Sequence, residues 1–333
     1  MSVNSYQKEQ EVALAAVREA AILCQAVQAE ITDSVLEKKD RSPVTVADFG
    51  SQAIVCQHIN AAFPEDPIIA EEDSAALREE GNAPLLARVE QHIQALRPET
   101  TAETACTWID FGGAQDYSDR FWTLDPIDGT KGFLRGQQYA IALALIVEGE
   151  VTVAALGCPN LSLEAGQDEP TGVVYTAIKG QGTFAAPLDG SGEPVRVNVR
   201  ELADTSMARF CESVESGHTS HSDAANVGKE LGITSEPARL DSQCKYAVVG
   251  RGEADIYLRL PTRPGYVEKI WDHAAGLLVI EEAGGKVTDI FGNPLDFSHG
   301  RGLEKNKGVI ATNGQLHDAV IDALNTVGVA VPS

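Results

Sequence analysis

In the segment FWTLDPIDGTKGF, residues 121–133, an apolar run ends in Asp125 and Asp128, with Pro126, Gly129 and Thr130 around them. Asp, Pro and Gly all favour tight turns, so DPIDGT taken alone reads first as a turn, and its neighbours shift the reading. Acids recur where other elements are expected to begin or end: Asp48 at a helix start, Glu71 and Glu72 after the strand IIA, and Asp272 at another helix start. One acid at a helix N-terminus is a dipole-compensating residue, but several converging carboxylates repel one another unless cations lie among them. If Asp48, Glu71, Asp125, Asp128 and Asp272 converge, about two or three divalent ions would offset most of their charge, and oxygen ligands suit Mg²⁺. A tight turn would aim Asp125 and Asp128 inward and leave the Ile127 carbonyl as a further ligand, with the fixed φ of Pro126 holding the turn.

Adjacent hard cations can activate water, hold a phosphoryl oxygen and stabilise a leaving alkoxide, which is the chemistry of phosphoester hydrolysis. Covalent routes fit less well. No cysteine has the Cys-x5-Arg spacing of cysteine phosphatases, and there is no GxxxxGK[ST] loop. The D-x-D-G-T motif of haloacid-dehalogenase enzymes sets its aspartates two apart, whereas Pro126 and Ile127 make the gap three here.

Several elements must position these residues. Ala13, Ala16, Val17, Ala20, Leu23, Cys24 and Val27 recur at helical spacing over residues 6–30. KKDRSPVTVAD reads as a loop before a second helix carrying Ile54, Val55 and Ile59. Helical character over about 74–97 and a polar loop over 98–119 precede the DPIDGT strand. YAIALALIVEG and EVTVAALGCPN form one hairpin, and GVVYTAIKGQGTFA forms another. The loose GxGxxA in the second hairpin precedes a strand, so it reads as a turn and not as a dinucleotide loop. After Pro194, strands alternate with helices: VRVNV, a helix near 222–231, YAVVG and ADIYLRL as strands, a helix over 272–283, and KGVIATN. This order gives an α+β domain over 1–160 carrying most of the metal ligands and an α/β domain over 161–333 carrying Asp272.

The 333 residues carry 49 acids against 26 bases, a net charge of −23. That field repels nucleic acids and anionic membranes, and a phosphorylated substrate would need local cations. The six cysteines are scattered, without CxxC pairs, and read as reduced thiols. The N-terminus lacks an apolar leader, no apolar run approaches the roughly 20 residues of a membrane span, and the expectation is a cytoplasmic protein.

DPIDGTKGFLRG and WDHAAGLLVIEEAGG resemble the two signatures of the inositol monophosphatase-like, lithium-sensitive, magnesium-dependent phosphatases. SPVTVAD, AEED, VESGHTSH, LDSQCKY and IYLRLP narrow the resemblance to the 3'(2'),5'-bisphosphate nucleotidases, over about residues 10–313. The resemblance implies a layered α-β-α-β-α sandwich of the sugar-phosphatase type, with two or three Mg²⁺ held by Glu71, Asp125, Asp128, Asp272 and the Ile127 carbonyl. It implies that Asp48 and Thr130 orient or activate the attacking water, and that His218, Asp241, Ser242, Lys245 and Arg259 contact the nucleotide. From sequence alone Thr130 reads equally as a helix cap, His218 as an exposed loop residue, and Lys245 and Arg259 as charges at strand edges. Glu72 reads as a solvated neighbour and Trp271 as a packing residue, while Ala70 departs from the glycine usual before the paired glutamates. The implied activity is hydrolysis of the 3'-phosphate of adenosine 3',5'-bisphosphate, a clean-up step of sulfate activation, and of 3'-phosphoadenosine 5'-phosphosulfate, by metal-activated water in a monomer. The alternatives are an inositol monophosphate or polyphosphate phosphatase and a non-catalytic nucleotide sensor.

Overall fold

A computed structural model describes residues 5–31, 42–164, 172–214, 220–263 and 265–330. Helix α1 (Gln7–Ala29) packs its stripe Ala13, Val17, Ala20, Cys24 and Val27 against α2 (Ser42–Ala62). Contrary to the sequence expectation, α1 is long and apolar enough to cross a membrane by length and composition. Its stripe is nevertheless buried in the core, where small side chains let the two helices approach closely. α2 already begins at Ser42, so SPVTVAD is helical and Asp48 stands inside the helix, not at its start. Pro43 is compatible with this because the first turn needs no N–H partner.

β1 (Ile68–Ala70) follows, then two short 3₁₀ turns, α3 (Ala83–Gln94) and α4 (Ala102–Asp110). α4 occupies the stretch expected to be a polar loop. Its start is set locally, with the Thr101 hydroxyl accepting the Thr104 N–H at 3.2 Å.

β2 (Arg120–Asp128), the short helix α5 (Thr130–Leu134), β3 (Ala140–Val147), β4 (Glu150–Cys158), β5 (Val173–Ile178), β6 (Gly182–Pro187) and β7 (Val195–Val197) complete the first half. The sheet runs β1 to β7 in chain order, parallel only between β1 and β2. Glu148 and Gly149, at φ 52° and 79°, make the tight turn of the β3–β4 hairpin. In GQGTFA, the N–H groups of Gly180 and Gly182 both donate to the Glu282 carboxylate, at 2.7 and 2.8 Å, so this turn ties the hairpin to a later helix. Alternation along the strands sends Trp122, Leu124, Leu143 and Leu145 toward α1 and α2, and Phe121, Ala142, Ala144 and Ile146 to the opposite face.

The second half contains β8 (Phe210–Glu212), α6 (His221–Glu230), β9 (Ala238–Arg239), α7 (Cys244–Gly250), β10 (Ile256–Arg259), α8 (Ala274–Glu282), β11 (Lys286–Thr288), β12 (Val309–Thr312) and α9 (His317–Thr326). Its sheet has the order β11-β12-β10-β8-β9. YAVVG is helix α7 and not a strand, because every residue of α7 is buried and a wholly apolar run carries no period to separate the two. α7 and α8 fill the space between the sheets, while α6 and α9 cover the outer face of the second sheet. The layers are therefore α-β-α-β-α, as expected. The boundary expected at 160/161 falls between β4 and β5, neighbours in one sheet, and the change of sheet comes between Val197 and Phe210.

Candidate active site

β1 and β2 are parallel, so their C-terminal ends share one edge of the sheet and bring Glu71 beside Asp125 and Asp128. Asp125 pairs with Ala142 and Asp128 with Ala140, and the register shift between them takes Pro126 and Ile127 out of the ladder. Pro126 suits this bulge because it has no N–H to lose, and its carbonyl accepts the Ser51 hydroxyl at 2.9 Å. The chain then turns at Gly129, φ 90°, into α5, with Thr130 as the first helical residue and not its cap. After β1, the Gln52 amide grips the Glu72 backbone, donating to its carbonyl at 2.6 Å and accepting its N–H at 3.0 Å. Glu71 is thereby left facing the cleft. The methyl of Ala70 lies against Gly112, where an added Cβ would come within 2.7 Å of it, so the missing side chain there accommodates the departure at Ala70.

The cleft has a volume of about 430 Å³ and joins both halves. Its acidic wall is Glu71, Asp125, Asp128 and Asp272, whose charges interact, with Ile127 and Thr130 also in the lining; Asp241, Ser242, Lys245 and Arg259 line the same cleft, with Arg259 bonded to Asp272. Asp48 is buried beneath the acidic wall, close enough to Asp125 and Glu71 for their charges to interact. His218 lies outside the described residues.

The halves meet through groups that tolerate very close approach. Added Cβ atoms on Gly129 and Gly132 would meet Ser242 and Asp241 at 2.8 and 3.0 Å, and the Gln243 N–H donates to Asp128 Oδ2 at 2.6 Å. Asp241 is held by an ion pair with Arg135. Lys245 is 5% exposed, donates to the Ser242 carbonyl at 2.8 Å, and stands 5.2 Å over the Tyr257 ring. It lies on α7, not on a strand beside Arg259 as expected, yet both still face the cleft.

Electrostatically the acidic wall is under strain. Burial, then Glu71, Asp128, Asp272 and Asp48, pushes the Asp125 carboxyl well above the usual range, and its buried Oδ1 has no hydrogen-bond partner. Burial, then Glu72 and Glu71, does the same to Asp48. Glu71 is pushed up to about 8 by the surrounding protein and by Asp272, Glu72 and Asp128, although its side chain opens to the cleft. Burial and then Asp272 raise Asp128, but only to about 6, because Lys245, Arg259 and the Gln243 N–H favour its charged form. An orphaned carboxylate oxygen among mutually repelling oxygens fits a hard divalent cation such as Mg²⁺. In the tight group formed by Glu268, Asp272 and His273, with ligand atoms within 4.8 Å of one another, only Asp272 lines the cleft. Arg259 already sits on that group, with Nε 2.7 Å from Glu268 and Nη2 donating to Asp272 at 3.0 Å.

Sequence reasoning missed Arg301, which packs 4.4 Å over the buried Trp271 ring and donates to the Glu71 carbonyl at 3.4 Å. It missed Gln243 and Tyr266 as well, which line the same cleft.

The profile of the inositol monophosphatase family matches residues 5–328 of this sequence. The chain belongs to the inositol monophosphatase family. Within the family it is similar to the 3'(2'),5'-bisphosphate nucleotidase of Schizosaccharomyces pombe, 45% identical over 97% of this chain and 96% of that one. The protein of the same name from Emericella nidulans is 44% identical over 97% and 99%, and that of Oryza sativa 43% over 96% and 94%. Among solved structures, an inositol monophosphatase from Thermotoga maritima superposes with a TM-score of 0.64 at 21% identity, covering 97% of this chain and 98% of that one. One from Anabaena gives 0.63 at 19%, covering 98% and 99%. These two likenesses establish the fold. Enzymes of the inositol monophosphatase family use Mg²⁺.

Proposed function

We propose that this chain hydrolyses the 3'-phosphate of adenosine 3',5'-bisphosphate to AMP and phosphate, and accepts 3'-phosphoadenosine 5'-phosphosulfate. The observation that carries this reading is the division of one cleft's lining into a cluster of acids and, beside it, the cations Lys245, buried, and Arg259, half-buried. A substrate with two anionic groups at fixed separation matches that division, and the near full-length nucleotidase relatives support it.

Glu71, Asp125, Asp128, Asp272 and the Ile127 carbonyl would hold two or three Mg²⁺. When bound, the ions supply charge neutralisation for the phosphoryl group and activation of water. Thr130, at the cleft surface, and Asp48, beneath it, orient the attacking water; Asp48 is disposed to hold a proton because burial, Glu72 and Glu71 favour its neutral form. Lys245 and Arg259 bind the second phosphate, while Asp241 and Ser242 contact the nucleoside. His218 would contribute to nucleotide binding.

The test is phosphate release with Mg²⁺ over a panel of adenosine 3',5'-bisphosphate, adenosine 3'-monophosphate, inositol 1-phosphate and inositol 1,4-bisphosphate. The expected order places the nucleotide bisphosphate first, with Li⁺ inhibiting at concentrations where Na⁺ does little. Preference for inositol 1-phosphate would replace this reading with an inositol phosphatase, and binding without phosphate release would replace it with a sensor.

A further inference from the structure

Gln243 lies between two residues expected to touch the nucleotide, yet its side chain is 1% exposed and is fully occupied inside the protein. Its Nε2 donates to the Trp271 carbonyl at 2.8 Å, and its Oε1 accepts the Gly276 N–H at 2.9 Å. Those two groups bracket Asp272. Through its own N–H, at 2.6 Å, the same residue binds Asp128 Oδ2 in the other half of the molecule.

The surroundings explain why this residue takes the part. His273 occupies the cap position of α8 but supplies no cap, because its ring is engaged by the Tyr246 hydroxyl at 2.7 Å and lies 3.3 Å from Glu268. The early N–H groups of α8 therefore need an acceptor from elsewhere, and Gln243 delivers one from the start of α7. Gly276 makes the approach possible, since a Cβ there would stand 2.4 Å from the Tyr246 ring. Ser242, in the left-handed region at φ 67°, turns the chain so that the next N–H meets Asp128. A single residue thus bonds Asp128 directly and the Trp271 carbonyl next to Asp272, joining acids that come from opposite halves of the molecule.

We propose that Gln243 is a positioning residue that sets the separation of Asp128 and Asp272, and with it the affinity of their site for Mg²⁺. Its functional consequence rests on the metal-site reading above. Changes to groups that orient metal ligands typically weaken metal binding about 10- to 100-fold. Gln243→Met keeps the volume and the backbone N–H but removes both side-chain bonds. Gln243→Glu keeps the acceptor for Gly276 and removes the donor to Trp271. Thr183→Val is the control: it deletes another buried hydrogen bond to α8, the 2.8 Å bond to the Val279 carbonyl at the far end of the helix.

Mg²⁺ binding is measured by titration calorimetry on full-length protein, alongside Tm, kcat and KM for adenosine 3',5'-bisphosphate at saturating Mg²⁺. Both Gln243 variants should bind Mg²⁺ about 10- to 100-fold more weakly, with kcat reduced and KM within about threefold of wild type. Thr183→Val should lower Tm with Mg²⁺ affinity unchanged. Wild-type Mg²⁺ affinity in either folded Gln243 variant overturns the proposal, as does an equal loss of affinity in Thr183→Val, and so does failure of both Gln243 variants to fold, which would make Gln243 a core residue first. If wild type binds Mg²⁺ but releases no phosphate from the bisphosphate, the activity reading fails while the affinity comparison still decides the role of Gln243. If wild type binds no Mg²⁺, both fall.

Discussion

Truncating Arg259 to Ala separates two roles that the structure superimposes on one guanidinium. In the protein it donates to Asp272 at 3.0 Å and stands 2.7 Å from Glu268, with its own side chain only 13% exposed. Water and salt screen such a pair weakly, so removing the cation leaves Glu268, among the described residues, with only His273 beside it and Asp272 without an arginine, a loss of up to about 3–5 kcal/mol in unfolding free energy. Facing the cleft, the same group is placed to hold the second phosphate of a nucleotide bisphosphate, worth roughly 1.5–3 kcal/mol, or about 10- to 150-fold in KM. The first loss should be largest in chelator and shrink in excess Mg²⁺, because a cation at Asp272 offsets part of the exposed charge. The second should appear with adenosine 3',5'-bisphosphate and much less with adenosine 3'-monophosphate, which lacks the second anion. Urea unfolding with and without Mg²⁺, together with steady-state kinetics on both substrates, gives four numbers. Unchanged stability in chelator would refute the buried pairing, and an equal KM rise for both substrates would confine Arg259 to the metal side.

Asp125→Asn should abolish turnover while raising stability in chelator, since it removes a charge that burial and its neighbours oppose and whose Oδ1 has no partner; denaturant melts in EDTA check this, and a less stable variant would contradict it. In chelator, stability should fall as pH rises through about 6 to 8, because Asp128 and Glu71 have folded-state values raised above their unfolded ones and their contribution, complete below about 4, is lost as each ionises in the fold. Mg²⁺ should flatten that dependence, and a melting temperature that climbs with pH in EDTA would show the sign to be wrong. All six cysteines are buried free thiols, so reductant should leave Tm unchanged, and a clear drop would expose a disulfide.

What the sequence made legible follows from how locally each feature is encoded. The period-3.6 pattern located α1, which has one buried and one less buried face, and turn signals located the β3–β4 and β5–β6 hairpins. α7 was unreadable for the opposite reason: burial on every side erases the period. α4 and the early start of α2 were lost to polar composition, although the Thr101 cap was a usable signal. Glu71, Asp125, Asp128 and Asp272 stood out because acids recur at element ends, and the structure brings all four to one cleft.

The arrangement of the basic residues had no such signature. Lys245 was expected beside Arg259 on a strand and reaches the same cleft from a helix, so facing the site depended on the packing of α7 between two sheets and not on secondary structure type. Arg301 reaches the Glu71 carbonyl across 230 residues of sequence. In a chain of net charge −23, two arginines near the cleft have acids competing for them: Arg135 pairs with Asp241, and Arg259 with Glu268 and Asp272. Lys245 differs, since among the described residues its ammonium is held by a carbonyl and an aromatic face and not by an ion pair. A carbonyl and a ring orient a cation without neutralising it. On the proposed reading Lys245, whose charge also favours ionised Asp128, would meet the incoming phosphate, whereas Arg259 already shares its charge between Glu268 and Asp272.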